Sequence, residues 1–170
     1  MSNHKTNKNQ LYGLNQFFLE LSDLYDKNIL PNKILLSGKK GTGKATLSYH
    51  FINYALSKNE DYSYNKNDLI INELNKSSKL INNNTHPNFY LIDILKDKKN
   101  IEINQIRQLI TYMNKSNFND KHRFILIDNV EFLNSNASNA LLKILEEPNS
   151  NVFFILINNN KNILSTLSSR

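Results

Sequence analysis

Cysteine and tryptophan are absent from this 170-residue chain, and glycine and proline are scarce, with four and three copies. Without cysteine there is no disulfide, no thiolate zinc site and no thiol nucleophile, and a reducing cytoplasm is the expected setting. No apolar run approaches the roughly 18–20 residues of a membrane span, and the opening MSNHKTNKNQ is polar rather than signal-like, so no membrane partner is expected. The net charge is +6, yet no dense Lys/Arg stripe accompanies it. The basic excess therefore reads as a generally solvated surface, although it would suit an acidic partner such as DNA.

What the chain has in abundance is asparagine, lysine and isoleucine, with runs such as Asn82-Asn83-Asn84 and Asn158-Asn159-Asn160. Such composition suits either a disordered low-complexity chain or a folded one with a biased surface. Clear apolar periods decide for the folded chain, since disordered chains lack them. The length suits one domain with a sizeable core.

Residues 1–10 read as a disordered lead. Between Leu11 and Leu30, apolar residues at Leu14, Phe17, Phe18, Leu21, Leu24 and Tyr25 have helical spacing, and Pro31 closes the segment. Ile34-Leu35-Leu36 runs directly into Gly38 and reads as a buried strand of a parallel sheet. A helix is expected from near Gly43, with Leu47, Phe51, Ile52, Ala55 and Leu56 on its inner face. Residues 58–68 read as a polar linker and 69–81 as a lesser helix. Phe89–Ile92, Phe124–Ile127 and Val152–Ile157 are expected strands, the last ending in Asn158. Helical stripes lie between them at Ile103, Ile106, Leu109, Ile110 and Met113, and at Ala137, Ala140, Leu141, Ile144 and Leu145. Pro148 ends the second of these. The alternation predicts an α/β three-layer domain with a mainly parallel central sheet. The chain stops after Ser169-Arg170 with nothing like a domain's natural tail, which suggests a truncated product or fragment.

Three of the four glycines fall in Gly38-Lys39-Lys40-Gly41-Thr42-Gly43-Lys44, between an expected strand and an expected helix. This fits the phosphate-binding loop pattern G-x-x-x-x-G-K. Glycines let successive N–H groups point inward at phosphate oxygens, the helix N-terminus adds positive potential, and Lys44 would reach the terminal phosphates. The bland reading is a glycine turn without a ligand. The position after Lys44 usually supplies a hydroxyl to magnesium, but here it is Ala45. Thr46 is a poor replacement, because one residue along a helix turns the side chain by roughly 100°. Nucleotide-binding candidates are thus Gly38, Gly41, Thr42, Gly43, Lys44, Ala45, Thr46, Asp128 and Asn158. Phe124-Ile125-Leu126-Ile127-Asp128 fits the Walker B pattern of an apolar strand ending in a metal-holding carboxylate. Asn129 follows it, and an amide cannot accept a proton from an attacking water. Glu131, two residues further on, is not expected to reach.

The run Asn139-Ala140-Leu141-Leu142-Lys143-Ile144-Leu145-Glu146-Glu147-Pro148 closely resembles a signature of the bacterial clamp-loader family, the delta-prime and gamma/tau types of DNA polymerase III subunit within the AAA+ superfamily. Supporting matches are Gly43-Lys44-Ala45-Thr46, His86-Pro87 ahead of a strand, Ile103-Asn104-Gln105-Ile106-Arg107 and the terminal Ser169-Arg170. The resemblance covers residues 11–170 and implies a P-loop NTPase (AAA+) base domain, without the family's lid and collar domains. Ala45 and Asn129 depart from the ATP-hydrolysing gamma/tau type and place the chain nearer the delta-prime type. The family's zinc cysteines are missing, so no metal site is expected. The resemblance further implies gamma/tau and delta subunits as partners in a hetero-oligomer, with a sliding clamp and primed DNA reached through the complex. Arg170 would be an arginine finger acting in trans on a neighbour's ATP. ATP with magnesium would be held weakly by this chain, and Ala45→Ser together with Asn129→Glu should restore binding before turnover. The competing readings are a self-sufficient P-loop ATPase, with Thr46 and Glu131 as unusual substitutes, and a non-functional remnant.

Overall fold

A computed structural model describes residues 9–115, 121–146 and 151–159. Its elements, in chain order, are α1 (Asn15–Asp26), β1 (Lys33–Ser37), α2 (Lys44–Ser57), α3 (Lys76–Asn82), β2 (Phe89–Ile92), α4 (Ile103–Met113), β3 (Arg123–Ile127), a 3-10 turn (Val130–Phe132), α5 (Ser135–Glu146) and β4 (Val152–Asn158). The four strands form one parallel sheet in the order β1-β4-β3-β2. Every residue of β3 and β4 is buried, because each strand alternates between two cores. Phe124, Leu126, Phe153 and Ile155 face α1, α2 and α3, while Ile125, Ile127, Phe154 and Leu156 face α4 and α5. A sheet covered on both faces needs near-continuous apolar strands, which is what these segments are. The expected three-layer α/β architecture holds.

Helix ends show what replaces the missing glycines. Asn28 (φ 56) and Asn84 (φ 53) take the left-handed position after α1 and α3. In each case the asparagine N–H bonds to Tyr25 or Ile81, and the next N–H bonds to Leu24 or Leu80. That is the Schellman pairing, usually built on glycine and sometimes on asparagine. Three other helices have basic side chains on carbonyls at or near their C-terminal ends. Lys121 Nζ donates to Leu56 O of α2 at 2.9 Å, and Lys33 Nζ donates to Leu145 O of α5 at 2.9 Å. The Arg123 guanidinium donates to Met113 O at 2.8 Å, Lys115 O at 2.6 Å and, more weakly, Tyr112 O at 3.4 Å, at the end of α4. Positive charge there also complements the helix dipole.

Two expectations need correction. The helix expected over 69–81 is confined to Lys76–Asn82. Upstream, Leu69 has φ 55 and Ile70 bridges to Gln10 and Asn65. Asn72 accepts from Leu74 N, and Asn75 caps α3 by accepting from Ser78 N. These local side-chain bonds compete with helix and win. The segment 58–68 is also more than a linker: Tyr64 is buried, shares a hydrogen bond with His50 and donates its N–H to Ser57 Oγ. Within the segment Leu11–Leu30, α1 takes only Asn15–Asp26, and Phe17 of its apolar stripe lies 57 % exposed.

His86, ahead of β2, has a fixed role. Its Nδ1 accepts from Asn88 N at 3.1 Å, which leaves the proton on Nε2, 3.2 Å from Ser77 Oγ. Ser77 Oγ in turn donates to Glu60. The imidazole is therefore a donor to the serine and cannot serve as its base. Burial, reinforced by the Lys121 charge and opposed by Glu60, pushes the His86 pKa down to about 4. The unfolded chain protonates this residue first, so its stability contribution is full above about pH 6.5 and declines as pH falls toward 4. Solvent screening leaves a loss of about 1–2 kcal/mol at pH 4.5. Urea midpoints at pH 7 and pH 4.5 should differ less in His86→Gln than in the parent. The comparison must be made against the parent, because His122 is also shifted down, by burial and by Lys58.

Candidate nucleotide site

The C-terminal edge of the sheet gathers nearly all the sequence-expected site residues. β1 leads into Gly38, and Gly43 (φ 87) sits at the N-cap of α2. Gly41 (φ 86) and Gly43 both need a backbone angle that side chains disfavour. A Cβ on Gly43 would also lie 3.0 Å from Leu14 Cδ1, so the residue before α1 packs against the loop. Around Gly41 a Cβ would meet nothing within 4 Å, so the loop is open there.

Lys44 is buried and folds back on its own loop. Its ammonium donates to Gly38 O at 2.9 Å, Lys39 O at 2.7 Å and Thr42 Oγ1 at 3.3 Å. Thr42 Oγ1 donates to Lys39 O at 2.9 Å. Burial holds the Lys44 pKa below its ordinary value, opposed by the charges of Asp128 and Glu131. Ala45 packs against the core beneath α2. Thr46, the next residue of α2, is half-buried.

Because β4 lies between β1 and β3, its last residues stand between the loop and Asp128. Asn158 is buried; its carbonyl accepts from Gly38 N at 3.2 Å, and its amide reaches Ser37 Oγ at 3.4 Å. Asp128 Oδ1 accepts from Asn129 N at 2.8 Å and, more weakly, from Asn159 Nδ2 at 3.4 Å. Asn129 occupies the left-handed region (φ 58). Its Nδ2 donates to Asp93 Oδ1 at 2.8 Å, and its Oδ1 accepts from Asn159 Nδ2 at 2.9 Å. Asn159 N is 3.2 Å from both carboxylate oxygens of Glu131. Glu131 therefore belongs to this cluster through Asn159 N. Asp93 and Asn159 escaped the sequence reading. Asp93 does end the apolar run Phe89–Ile92, as Asp128 ends Phe124–Ile127, and that shared pattern was the available signal. Arg170, Ser169, Glu147 and Pro148 lie outside the described residues.

The residues fit a phosphate better than a metal. Gly41, Gly43 and the first N–H groups of α2 could hold phosphate oxygens once Lys44 leaves the loop carbonyls, whereas Gly38 N is already given to Asn158 O. For magnesium, Ala45 offers only a methyl group, and one Asp128 oxygen already receives two N–H groups. Among the described residues, no group of three His, Asp or Glu side chains could hold a metal ion. No helix among them is long and apolar enough to cross a membrane.

The family described as DNA polymerase III, delta subunit, matches residues 13–170. The chain belongs to this DNA polymerase III delta-subunit family. Within it, the chain is similar to DNA polymerase III subunit delta′ of Pseudomonas aeruginosa, 28% identical over 137 residues, 80% of this chain and 40% of that protein. It is 29% identical to the Bacillus subtilis delta′ subunit over 146 residues, 85% of this chain and 42% of that protein. With the delta′ subunit of Buchnera aphidicola subsp. Schizaphis graminum, identity reaches 36% over 94 residues, 54% of this chain and 28% of the relative. The chain spans about two fifths of the length of the first two of these curated relatives. The fold is also that of a DNA polymerase III gamma subunit-related protein from Thermotoga maritima, with a TM-score of 0.61 and 20% identity, covering 88% of this chain and 43% of that one. The resemblance to delta-prime-type DNA polymerase III subunits read from the sequence motifs and the expected α/β fold with a mainly parallel sheet are both borne out.

Proposed function

We propose that this chain is the AAA+ base domain of a delta-prime-type clamp-loader subunit, acting in the cytoplasm by assembly rather than by hydrolysing ATP. Its partners are gamma/tau-type ATPase subunits and a delta subunit, and the complex places a sliding clamp on primed DNA. Arg170 acts in trans on a neighbour's ATP. The observation that carries this reading is the state of the nucleotide site. Lys44 is satisfied by its own loop, Ala45 gives magnesium no ligand, and Asn129, where a catalytic carboxylate would stand, is bonded to Asp93. Glu131, the substitute acid a self-sufficient ATPase would need, is engaged by Asn159 N.

Calorimetric titration of the isolated chain with ATP, with and without magnesium, tests the reading. Weak or undetectable binding without magnesium dependence is expected, together with no turnover above the buffer blank. Tight magnesium-dependent binding with turnover would establish the gamma/tau-type ATPase instead.

A further inference from the structure

The ends of all four strands are joined by hydrogen bonds that involve neither phosphate nor metal. At the loop, Gly38 N donates to Asn158 O, and the neighbouring Asn159 N donates to Glu131. Asn159 Nδ2 donates to Asn129 Oδ1, and Asn129 Nδ2 donates to Asp93 Oδ1 at 2.8 Å. Asp93 Oδ1 also accepts from Ile94 N at 2.7 Å, which fixes the carboxylate beside the end of β2. Its backbone carbonyl accepts from Gln105 Nε2 at 2.8 Å, and Gln105 belongs to the box that caps α4. The connection thus runs from the phosphate loop across β4, β3 and β2 into the first turn of α4.

An asparagine is the one side chain of its size that fits the middle of this run, because its amide donates on one side and accepts on the other. We propose that Asp93 is a positioning residue that commits Asn129 to a ligand-independent brace across the strand ends and thereby bars a carboxylate from position 129. A glutamate there has no proton to give Asp93. It would also set two carboxylates within hydrogen-bond reach, where both cannot comfortably ionise. The expectation that Asn129→Glu, paired with Ala45→Ser, would restore nucleotide binding is revised accordingly: Asp93 must change as well. The inference rests on the proposed loss of hydrolysis only in treating position 129 as the place of the missing acid.

The test is a double-mutant cycle in the 170-residue chain, read by urea unfolding. Asp93→Asn keeps an acceptor for both Ile94 N and Asn129, so its folding equilibrium should stay within about 3-fold of the parent. Asn129→Glu should shift the equilibrium toward unfolding by about 30-fold or more, and the double variant Asp93→Asn/Asn129→Glu should recover at least about tenfold of that loss. Should Asn129→Glu fail to fold alone, recovery of a folded double variant carries the same meaning. Asn129→Ala supplies an independent readout. In the parent, without nucleotide, the side-chain amide protons of Asn129 and Asn159 should exchange slowly by NMR. In Asn129→Ala, those of Asn159 should lose that protection. Simple additivity in the cycle, a parent-like Asn129→Glu, a double variant no more stable than Asn129→Glu, or rapid exchange in the parent would each overturn the proposal. Magnesium-dependent ATP turnover by the parent would instead sink the functional reading and leave the cycle unaffected, so the two failures are distinguishable.

Discussion

Arg123→Ala should destabilise the chain by about 3 kcal/mol, on the order of 100-fold in the folding equilibrium. The side chain is 5 % exposed at the start of a central strand, an expensive place for a charge unless it is fully engaged. It is engaged by the carbonyls of Tyr112, Met113 and Lys115, and its guanidinium lies 5.3 Å from the centre of the Tyr112 ring. Removing it takes the guanidinium from the Met113 and Lys115 carbonyls, withdraws positive charge from the helix end and leaves a cavity between β3 and α4. Charge-assisted hydrogen bonds contribute more than neutral ones, yet bonds to one group are not additive, which sets the estimate below the sum of parts. Thermal unfolding should show a midpoint roughly 10 °C below the parent. Arg123→Lys should recover no more than half, since an ammonium lacks the fork that reaches several carbonyls at once. A midpoint within a degree or two of the parent for Arg123→Ala would show that the α4 terminus is satisfied in another way.

The same residue shows where sequence reading stops. Arg123 is the polar first residue of an apolar strand, and nothing nearby in sequence says that it reaches back to α4. The strands themselves were legible, because a sheet covered on both faces needs unbroken runs such as Phe124–Ile127. The helices α2, α4 and α5 were legible from their stripes. The segment 69–75 misled, because Leu69, Ile70 and Ile71 supply apolar content while Asn72 and Asn75 tie the backbone into turns. Asparagine explains more of this chain than its bias suggests. It supplies left-handed helix ends at Asn28 and Asn84, a cap at Asn75, an amide at Asn129 that donates and accepts, and a donor at Asn159.

In the site, the glycine loop could be read because its backbone angles demand those residues, and Asp128 because it closes an apolar strand. The direction of Lys44 could not be read. The same ammonium can face a ligand or its own loop, and sequence carries no record of which. The Asp93–Asn129–Asn159 connection was hidden for another reason. It joins residues on three strands, and only the order β4-β3-β2 brings those strand ends side by side. Once that order is known, a strand-ending Asp or Asn becomes a candidate neighbour of the loop.

On the proposed trans role, Arg170→Ala in a full-length protein should slow ATP hydrolysis at the adjacent gamma/tau-type site by about 10³-fold, the lower end of what an arginine finger contributes. Arg170 itself lies outside the described residues. β4 ends at Asn158, on the same sheet edge as the glycine loop. Assembly should survive the substitution, because one rim arginine contributes little to an extended interface. The rate should suffer, because a finger acts on charge that develops in the transition state rather than on bound nucleotide. ATP affinity of the complex should therefore change far less than its turnover, and clamp loading should fall with turnover. Arg170→Lys should rescue poorly, since an ammonium cannot reproduce the planar fork on phosphate oxygens. The measurement is steady-state ATPase and clamp loading by reconstituted complex, with assembly checked by size-exclusion chromatography. Unchanged rates in a normally assembled Arg170→Ala complex would remove the trans role. A loss of assembly instead would make Arg170 an interface residue, and the catalytic assignment would then fall.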